Sequence, residues 1–406
     1  MSEPYDERET RSHDARAASL ARELPAQIGR AQGLPGYAGT LSEVQAERVI
    51  SRDALAGLPV LRKSDLTSAQ GPGSALGGYA GPLAGFAHVF QSPGPIYEPG
   101  GSGPDWWRMG RFLHASGIGR GDVLQNCFSY HLTPAGMMLE SGARAVGATV
   151  LPAGTGQTEL QARAARDLGV TAYAGTPDYL KVILDAAEAA GMALSIAKAA
   201  VSGGALFPSL RAEYEARGVA CRQCYATADL GLIAYESEAM EGMIVDEGVI
   251  VEIVRPGTGD PVPEGEVGEV VVTTLNPDYP LIRFATGDLS AVLPGASPCG
   301  RTNMRIRGWM GRADQAAKVK GMFVRPEQVA ELVSRIPGAA RARVVIERAG
   351  EADRMRVLVE GPEGLDVAAL RPLVMACLKL SGEAERVPPG SLPNDGLVIE
   401  DARRYD

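Results

Sequence analysis

Two short blocks in the last third of the chain hold residue types suited to gripping a nucleotide sugar. Arg283-Phe284-Ala285-Thr286-Gly287-Asp288 ends in a carboxylate just beyond a Thr-Gly turn, and Gly311-Arg312-Ala313-Asp314 follows it. A carboxylate offers two acceptor oxygens, and the neighbouring hydroxyls of a ribose are a matching pair of donors. Asp288 is therefore the first candidate ligand, although Thr286-Gly287-Asp288 taken alone also reads as a hairpin turn. Ser202-Gly203-Gly204-Ala205 closes an apolar run, and its glycine pair lets backbone approach a planar ring. Phe128-Ser129-Tyr130-His131-Leu132-Thr133-Pro134-Ala135-Gly136 joins strand to helix, the place where open α/β sheets take ligands. Its aromatic pair and small residues could wall a flat apolar acid, with ordinary core packing as the competing reading. His131 could reach a carboxylate or simply be satisfied by its neighbours.

The elements that must carry these residues alternate. Apolar, β-branched runs over 122–128, 148–152 and 170–174 are separated by helical patterns over 134–145, 158–168 and 177–190. Thr158 with Gln161 reads as a capping box, Thr176-Pro177 as a helix start, and Gly191 as a stop. Strand, helix and strand at this spacing predict mainly parallel pairing with helices on both faces. Residues 1–60 read as helical, and Lys63-Ser64-Asp65-Leu66 as a new helix with Ser64 as its cap and a packing role. The stretch 67–104 is Gly- and Pro-rich and reads as loop. From 249 to 292 the turn-punctuated pattern predicts antiparallel strands in a barrel-like subregion. Asp314-Gln315 marks a hinge, followed by a helix over 326–336, strands over 342–347 and 355–360, and a helix over 366–380. The expected fold is α/β, with a large N-terminal domain over 1–312 and a small C-terminal α+β domain over 313–406.

Composition narrows the function. The chain has 406 residues, 45% hydrophobic and 22% charged, with a formal net charge of −9. That is ordinary globular material, enough for a large domain and a smaller one. With no basic cluster it lacks the concentrated cations that nucleic-acid phosphates demand. No run approaches the roughly 20 apolar residues of a membrane span, and the N-terminal stretch has no apolar signal core. A cytoplasmic protein is expected. Five cysteines, an odd number in a long chain, fit a reducing compartment. Cys221 and Cys224 form a single CxxC, read as incidental thiols, with a redox role as a minor alternative.

Thr273-Thr274-Leu275, Pro280 to Asp288, Pro298-Cys299-Gly300-Arg301-Thr302 and Gly311 to Asp314, in this order and spacing, resemble the phenylacetate-CoA ligase family of adenylate-forming enzymes. The resemblance runs from about Leu58 to Val398. It implies that Asp288 and Arg312 hold the ribose of ATP, and that Gly203, Gly204 and Ala205 form the adenine turn. Cys224-Tyr225-Ala226-Thr227-Ala228-Asp229 stands where the family has a Tyr stacked on adenine, a Thr on phosphate and a Glu on Mg²⁺. Tyr225 is kept, Ala226 and Ala228 replace Gly and Thr, and Asp229 becomes the metal-binding and catalytic carboxylate, since a hard cation accepts either acid. In the phosphate-loop position only Ser92 and Gly94 remain as contacts, three prolines remove donors, and Glu98 adds negative charge. Tyr130, His131, Ala135 and Gly136 match the segment lining the acyl pocket, and Gly154 to Thr158 resembles a neighbouring glycine-rich block. No lysine follows Lys379, so Lys318 or Lys320 is left to supply the cation that the family carries near its C-terminus. Ser237 and Met243 stand where many members have zinc-binding Cys and His, which implies no zinc. The implied activity is ATP-dependent activation of a carboxylic acid, aromatic acids among the options, through an acyl-adenylate passed to coenzyme A. The implied cofactors are ATP/AMP, Mg²⁺ and coenzyme A, in a homodimer. The alternative is a degenerate homologue that binds an adenosine-bearing ligand or coenzyme A without completing adenylation.

Overall fold

The computed structural model describes residues 3–92, 95–204, 206–313, 315, 317–319, 322–349, 352–393, 395 and 397–403. The chain divides into two compact units. One comprises 1–251, 272–284 and 293–309, the other 252–271, 285–292 and 310–406.

In the first unit, the strands Thr149–Pro152, Val123–Asn126, Ala172–Gly175, Lys198–Val201 and Ala220–Thr227 lie side by side in that order, all parallel. The chain thus places its second strand on one side of the first and its third on the other, which opens a crevice at the carboxyl ends of Val123–Asn126 and Ala172–Gly175. Antiparallel strands Gly231–Tyr235, Met243–Val245 and Arg305–Ile306 extend the sheet. Alternation along each strand feeds two cores. Ala172 and Ala174 pack with Leu124, Phe112 and Leu139, while Tyr173 between them packs with Leu180, Ile183 and Tyr214.

The connecting helices Ala135–Ala145, Thr158–Asp167 and Pro177–Ala189 fall where periodicity puts them, the last with Thr176 as N-cap and Pro177 in its first turn. Two local expectations are corrected. Gln157 rather than Thr158 is the N-cap of the middle helix, with no side-chain cap bond, because the Gln161 amide turns inward to Gln125 and to the Gly154 and Gly156 carbonyls. The helix Lys63–Ala69 is capped at Arg62, whose N–H donates to Asp65 at 2.8 Å, and not by Ser64. The Gly/Pro-rich stretch is also less of a loop than expected, since His88–Ser92 and Ile96–Gly100 form a hairpin.

The strands Val249–Val254, Val267–Thr274 and Phe284–Leu293 run as neighbours. They form an open run, so the barrel-like subregion expected over 249–292 does not close among the described residues. The second unit also holds a sheet ordered Glu383–Val387, Ala352–Glu360, Arg341–Ala349, Ile399–Asp401. Helices Pro326–Ser334 and Val367–Leu378 bury Val329, Leu332, Leu370 and Val374 against its Val344, Ile346 and Val357. No described helix is long and apolar enough to cross a membrane.

Candidate functional site

In the second unit, Asp288 and Arg312 meet. The strand carrying Asp288 and the 310–313 segment hydrogen-bond as neighbours: Leu289 N–H donates to the Gly311 carbonyl at 2.9 Å, and Ala313 N–H to that of Gly287 at 2.7 Å. An isolated antiparallel bridge aligns Asp288 with Arg312. Arg312 Nη1 then reaches Asp288 Oδ1 at 3.0 Å. The Thr286 hydroxyl donates to the Val270 carbonyl and accepts from Asp288 N–H, so the turn preceding the carboxylate is held from both sides. The Asp288 side chain is mostly buried while that of Arg312 is half exposed. A charge-assisted pair with this unequal exposure presents oriented donors and acceptors to solvent.

In the first unit, several candidates gather at the carboxyl ends of the parallel strands. Asn126, fully buried, donates to the Tyr130 hydroxyl at 2.8 Å and to the Gly136 carbonyl at 2.7 Å. A side-chain carbon at Gly136 would lie 2.6 Å from the Ser129 carbonyl and 2.9 Å from the Tyr130 ring, so only glycine lets the helix start this close to the aromatic. Ala135 precedes it at the first helical position, and His131 is exposed with its backbone N–H on Ser129. Asn126, Tyr130, Ala135 and Gly136 form one wall, with burial raising the Tyr130 phenol well above its ordinary value. Gly203 and Gly204 abut Phe128, Thr176 and Pro177, and the Ser202 hydroxyl donates to the Cys224 carbonyl. Tyr225 and Ala226 flank a register shift against Gly231–Tyr235, and Thr227 accepts from Leu230 N–H, closing the turn that carries Asp229.

Asp229 is buried, and the half-exposed Lys63 ammonium lies 3.0 Å from its Oδ2. Lys63 opens its helix directly after Leu61–Arg62, which is tied down by Arg283: Leu61 N–H donates to the Arg283 carbonyl, and the buried guanidinium donates to the Leu58 carbonyl. Arg283 thus acts by placing Lys63. Ser92, expected on phosphate, is buried and donates to Glu98 Oε2 at 3.0 Å. Burial, and after it the negative charge of Asp229, push the Glu98 carboxyl up to about 8. Burial, Asp229 and Glu98 together raise the Tyr279 phenol. Asp229 Oδ1, Glu98 Oε1 and the Tyr279 hydroxyl are buried without a hydrogen-bond partner among the described residues. Unmatched buried polar atoms are costly in a finished core and mark a place where a ligand is expected.

Those free oxygens also bear on Mg²⁺. A protein-only cage is absent, since no group of three His, Cys, Asp or Glu gathers among the described residues. Mg²⁺ is ordinarily held by one or two carboxylates plus water and substrate phosphates, and two uncommitted carboxylate oxygens fit that pattern. Lys63 and Glu98 were not singled out as ligands by sequence reasoning, and the signal for Lys63 lay in the Lys63-Ser64-Asp65-Leu66 block. Gly94, Ala205, Asp314 and Lys320 lie outside the described residues, as does the side chain of Lys318. Cys221 and Cys224 sit three apart on one strand and enter opposite cores, with burial pushing both thiols up to about 12, so the CxxC is a pair of packing residues.

A family model described as AMP-binding enzyme matches residues 108–276. A phenylacetate-coenzyme A ligase of Aromatoleum evansii is 31% identical over 302 residues, covering 70% of this chain and 67% of that protein. One from Thermus thermophilus is 32% identical over 238 residues, covering 56% and 54%. The chain thus spans about half the length of the Thermus relative and two thirds of the Aromatoleum one. Among solved structures, a 2-hydroxyisobutyryl-CoA ligase in the postadenylation state, in complex with R3-HIB-AMP, superposes with a TM-score of 0.72 at 23% identity over 97% of this chain and 91% of that one. The fold is shared with that ligase, and the Aromatoleum match settles the lineage: the chain belongs to the phenylacetate-coenzyme A ligase family.

Proposed function

We propose that the protein activates a small carboxylic acid with ATP and passes it to coenzyme A. The carboxylate oxygen attacks the α-phosphorus, the bond to pyrophosphate breaks, and the acyl-adenylate remains bound. The coenzyme A thiolate then attacks the acyl carbon and AMP leaves. The observation that carries this reading is the 3.0 Å pair of Asp288 and Arg312, two groups 24 residues apart that the fold has brought side by side.

In this reading Asp288 accepts from the ribose hydroxyls while Arg312 orients the carboxylate. Tyr225 provides the face for adenine, and Gly203 with Gly204 lets backbone approach the ring. The wall of Asn126, Tyr130, Ala135 and Gly136 takes the acid, and its aromatic member favours a planar acyl group. Lys63 offers a cation to the phosphates on a buried anchor, replacing the C-terminal lysine that the chain lacks. Asp229 and Glu98 would hold Mg²⁺, which when bound would neutralise phosphate charge. Reduced, buried cysteines accord with a cytoplasmic setting, and Asp314-Gln315 is the proposed hinge.

The test is carboxylate-dependent exchange of labelled pyrophosphate into ATP over a panel of aryl and short-chain acids. Exchange with at least one acid is expected, and its absence across the panel, with ATP still bound, would replace the activity by binding alone. Asp288→Ala should weaken ATP binding about 10- to 100-fold, the worth of one or two hydrogen bonds to a charged group. An unchanged affinity would remove the ribose assignment.

A further inference from the structure

We propose that the second unit carries a separate binding cavity for a small monoanion with an apolar body. A cavity of about 510 Å³ lies between the 255–267 turn region, the helix Pro326–Ser334 with the residues after it, and Leu392, Pro393, Leu397 and Val398. That volume is in the range of pockets that enclose a drug-sized molecule. Val262, Val329, Val333, Ile336 and Leu392 supply apolar wall. None of the residues assigned above to the nucleotide or the acid lines it.

Its charge is what selects the ligand. Three arginines line the cavity, Arg255, Arg341 and Arg343, against two acids, Asp260 and Glu266. Arg341 is committed to Glu360 and the Leu392 carbonyl. Arg343 is committed to Asp395, Glu400 and the Pro393 carbonyl, yet its Nε is buried with no hydrogen-bond partner among the described residues. Arg255 is held through its backbone, its N–H donating to the Asp260 carbonyl at 2.8 Å, and its buried Nε likewise has no partner among the described residues. A guanidinium N–H left unmatched beside an apolar wall is costly, and an anionic group on the ligand that accepts from it removes that cost. The lining contains no Phe, Tyr or Trp, so nothing offers a stacking face for a nucleobase. The matching ligand is a carboxylate or sulfonate on a hydrocarbon frame.

The probe is 8-anilinonaphthalene-1-sulfonate, titrated into the full-length protein by fluorescence and then displaced with decanoate. Saturable binding with displacement is expected. Arg255→Gln should weaken both ligands about tenfold, and Val333→Trp, which fills the volume, should abolish the displaceable signal. Asp288→Ala should leave probe binding intact while Arg255→Gln leaves ATP binding intact, so failure here and failure of the nucleotide site are separable. Wild-type binding in Arg255→Gln, or a signal that decanoate does not displace, overturns the proposal. Should Val333→Trp fail to fold by circular dichroism, Arg255→Gln decides alone.

Discussion

Two buried clusters of charge in the first unit are built to opposite rules. In the one that ties the N-terminal segment to the sheet, both oxygens of Glu9, Glu247 and Asp246 are used, while Arg11 Nε and Arg301 Nη1 and Nη2 are buried without a hydrogen-bond partner among the described residues. Glu9 accepts from Arg301, Tyr5 N–H and Tyr235, with Arg111 alongside; Glu247 accepts from Arg11 and Arg16; and Asp246 accepts from Arg108, Arg111 and Gly248 N–H. In the cluster of Lys63, Asp229 and Glu98, each acid keeps one buried oxygen without a partner among the described residues, and the single cation is half exposed. Saturated carboxylates brace a fold, whereas a carboxylate with a buried unmatched oxygen is tolerated where a bound molecule completes it.

The contrast can be broken at three points. The largest effect is expected at Glu247→Ala, which strands the Arg11 and Arg16 guanidiniums in a buried site. Unfolding in urea should show a loss of about 3–5 kcal/mol, and a loss below 1 kcal/mol would mean that the saturated cluster braces nothing. Next, Lys63→Met should lower pyrophosphate exchange about 100-fold, the usual cost of removing a donor aimed at developing charge. Its unfolding free energy should move by only about 1 kcal/mol, because one partner is solvent-facing. The reverse pattern, a large stability loss with exchange per folded molecule unchanged, would make Lys63 another brace.

The smallest effect concerns pH. Glu98 is raised from an ordinary 4.5 to about 8 in the folded protein. A carboxyl raised on folding lends stability that is fully present below its unfolded value and is lost as the pH climbs through its folded one. Wild-type stability should therefore slope downward between about pH 4.5 and 8, and Glu98→Gln should flatten that slope and gain about 1–2 kcal/mol at pH 8.5. Parallel pH curves for the two proteins would return Glu98 to the saturated class.

Much of this was legible before the fold was known. Thr176-Pro177 and Gly191 bound their helix through local backbone preferences, Asp288 stood out by residue type, and Arg312 by the family resemblance of its block. The pairings over long sequence distance were not legible. Lys63 meets Asp229 from 166 residues away, and nothing local to Lys63-Ser64-Asp65-Leu66 separates a packing helix from one that delivers an ammonium to a carboxylate. Glu98 read as a charge in the way of phosphate because its burial, and the Ser92 hydroxyl facing it across a hairpin, are tertiary facts. Gln161 misled in the opposite direction, since its amide answers to the Gly154 and Gly156 loop carbonyls instead of its own helix end.

Gly287 is a place where the Asp288–Arg312 pair can be disturbed without removing either charge. Its backbone sits at φ +74°, and a methyl there would come within 2.8 Å of the Arg312 guanidinium. The Arg312 guanidinium passes close over bare main chain there, which only a residue without a side chain permits. Gly287→Ala would thus displace the cation while both charged residues stayed in the sequence.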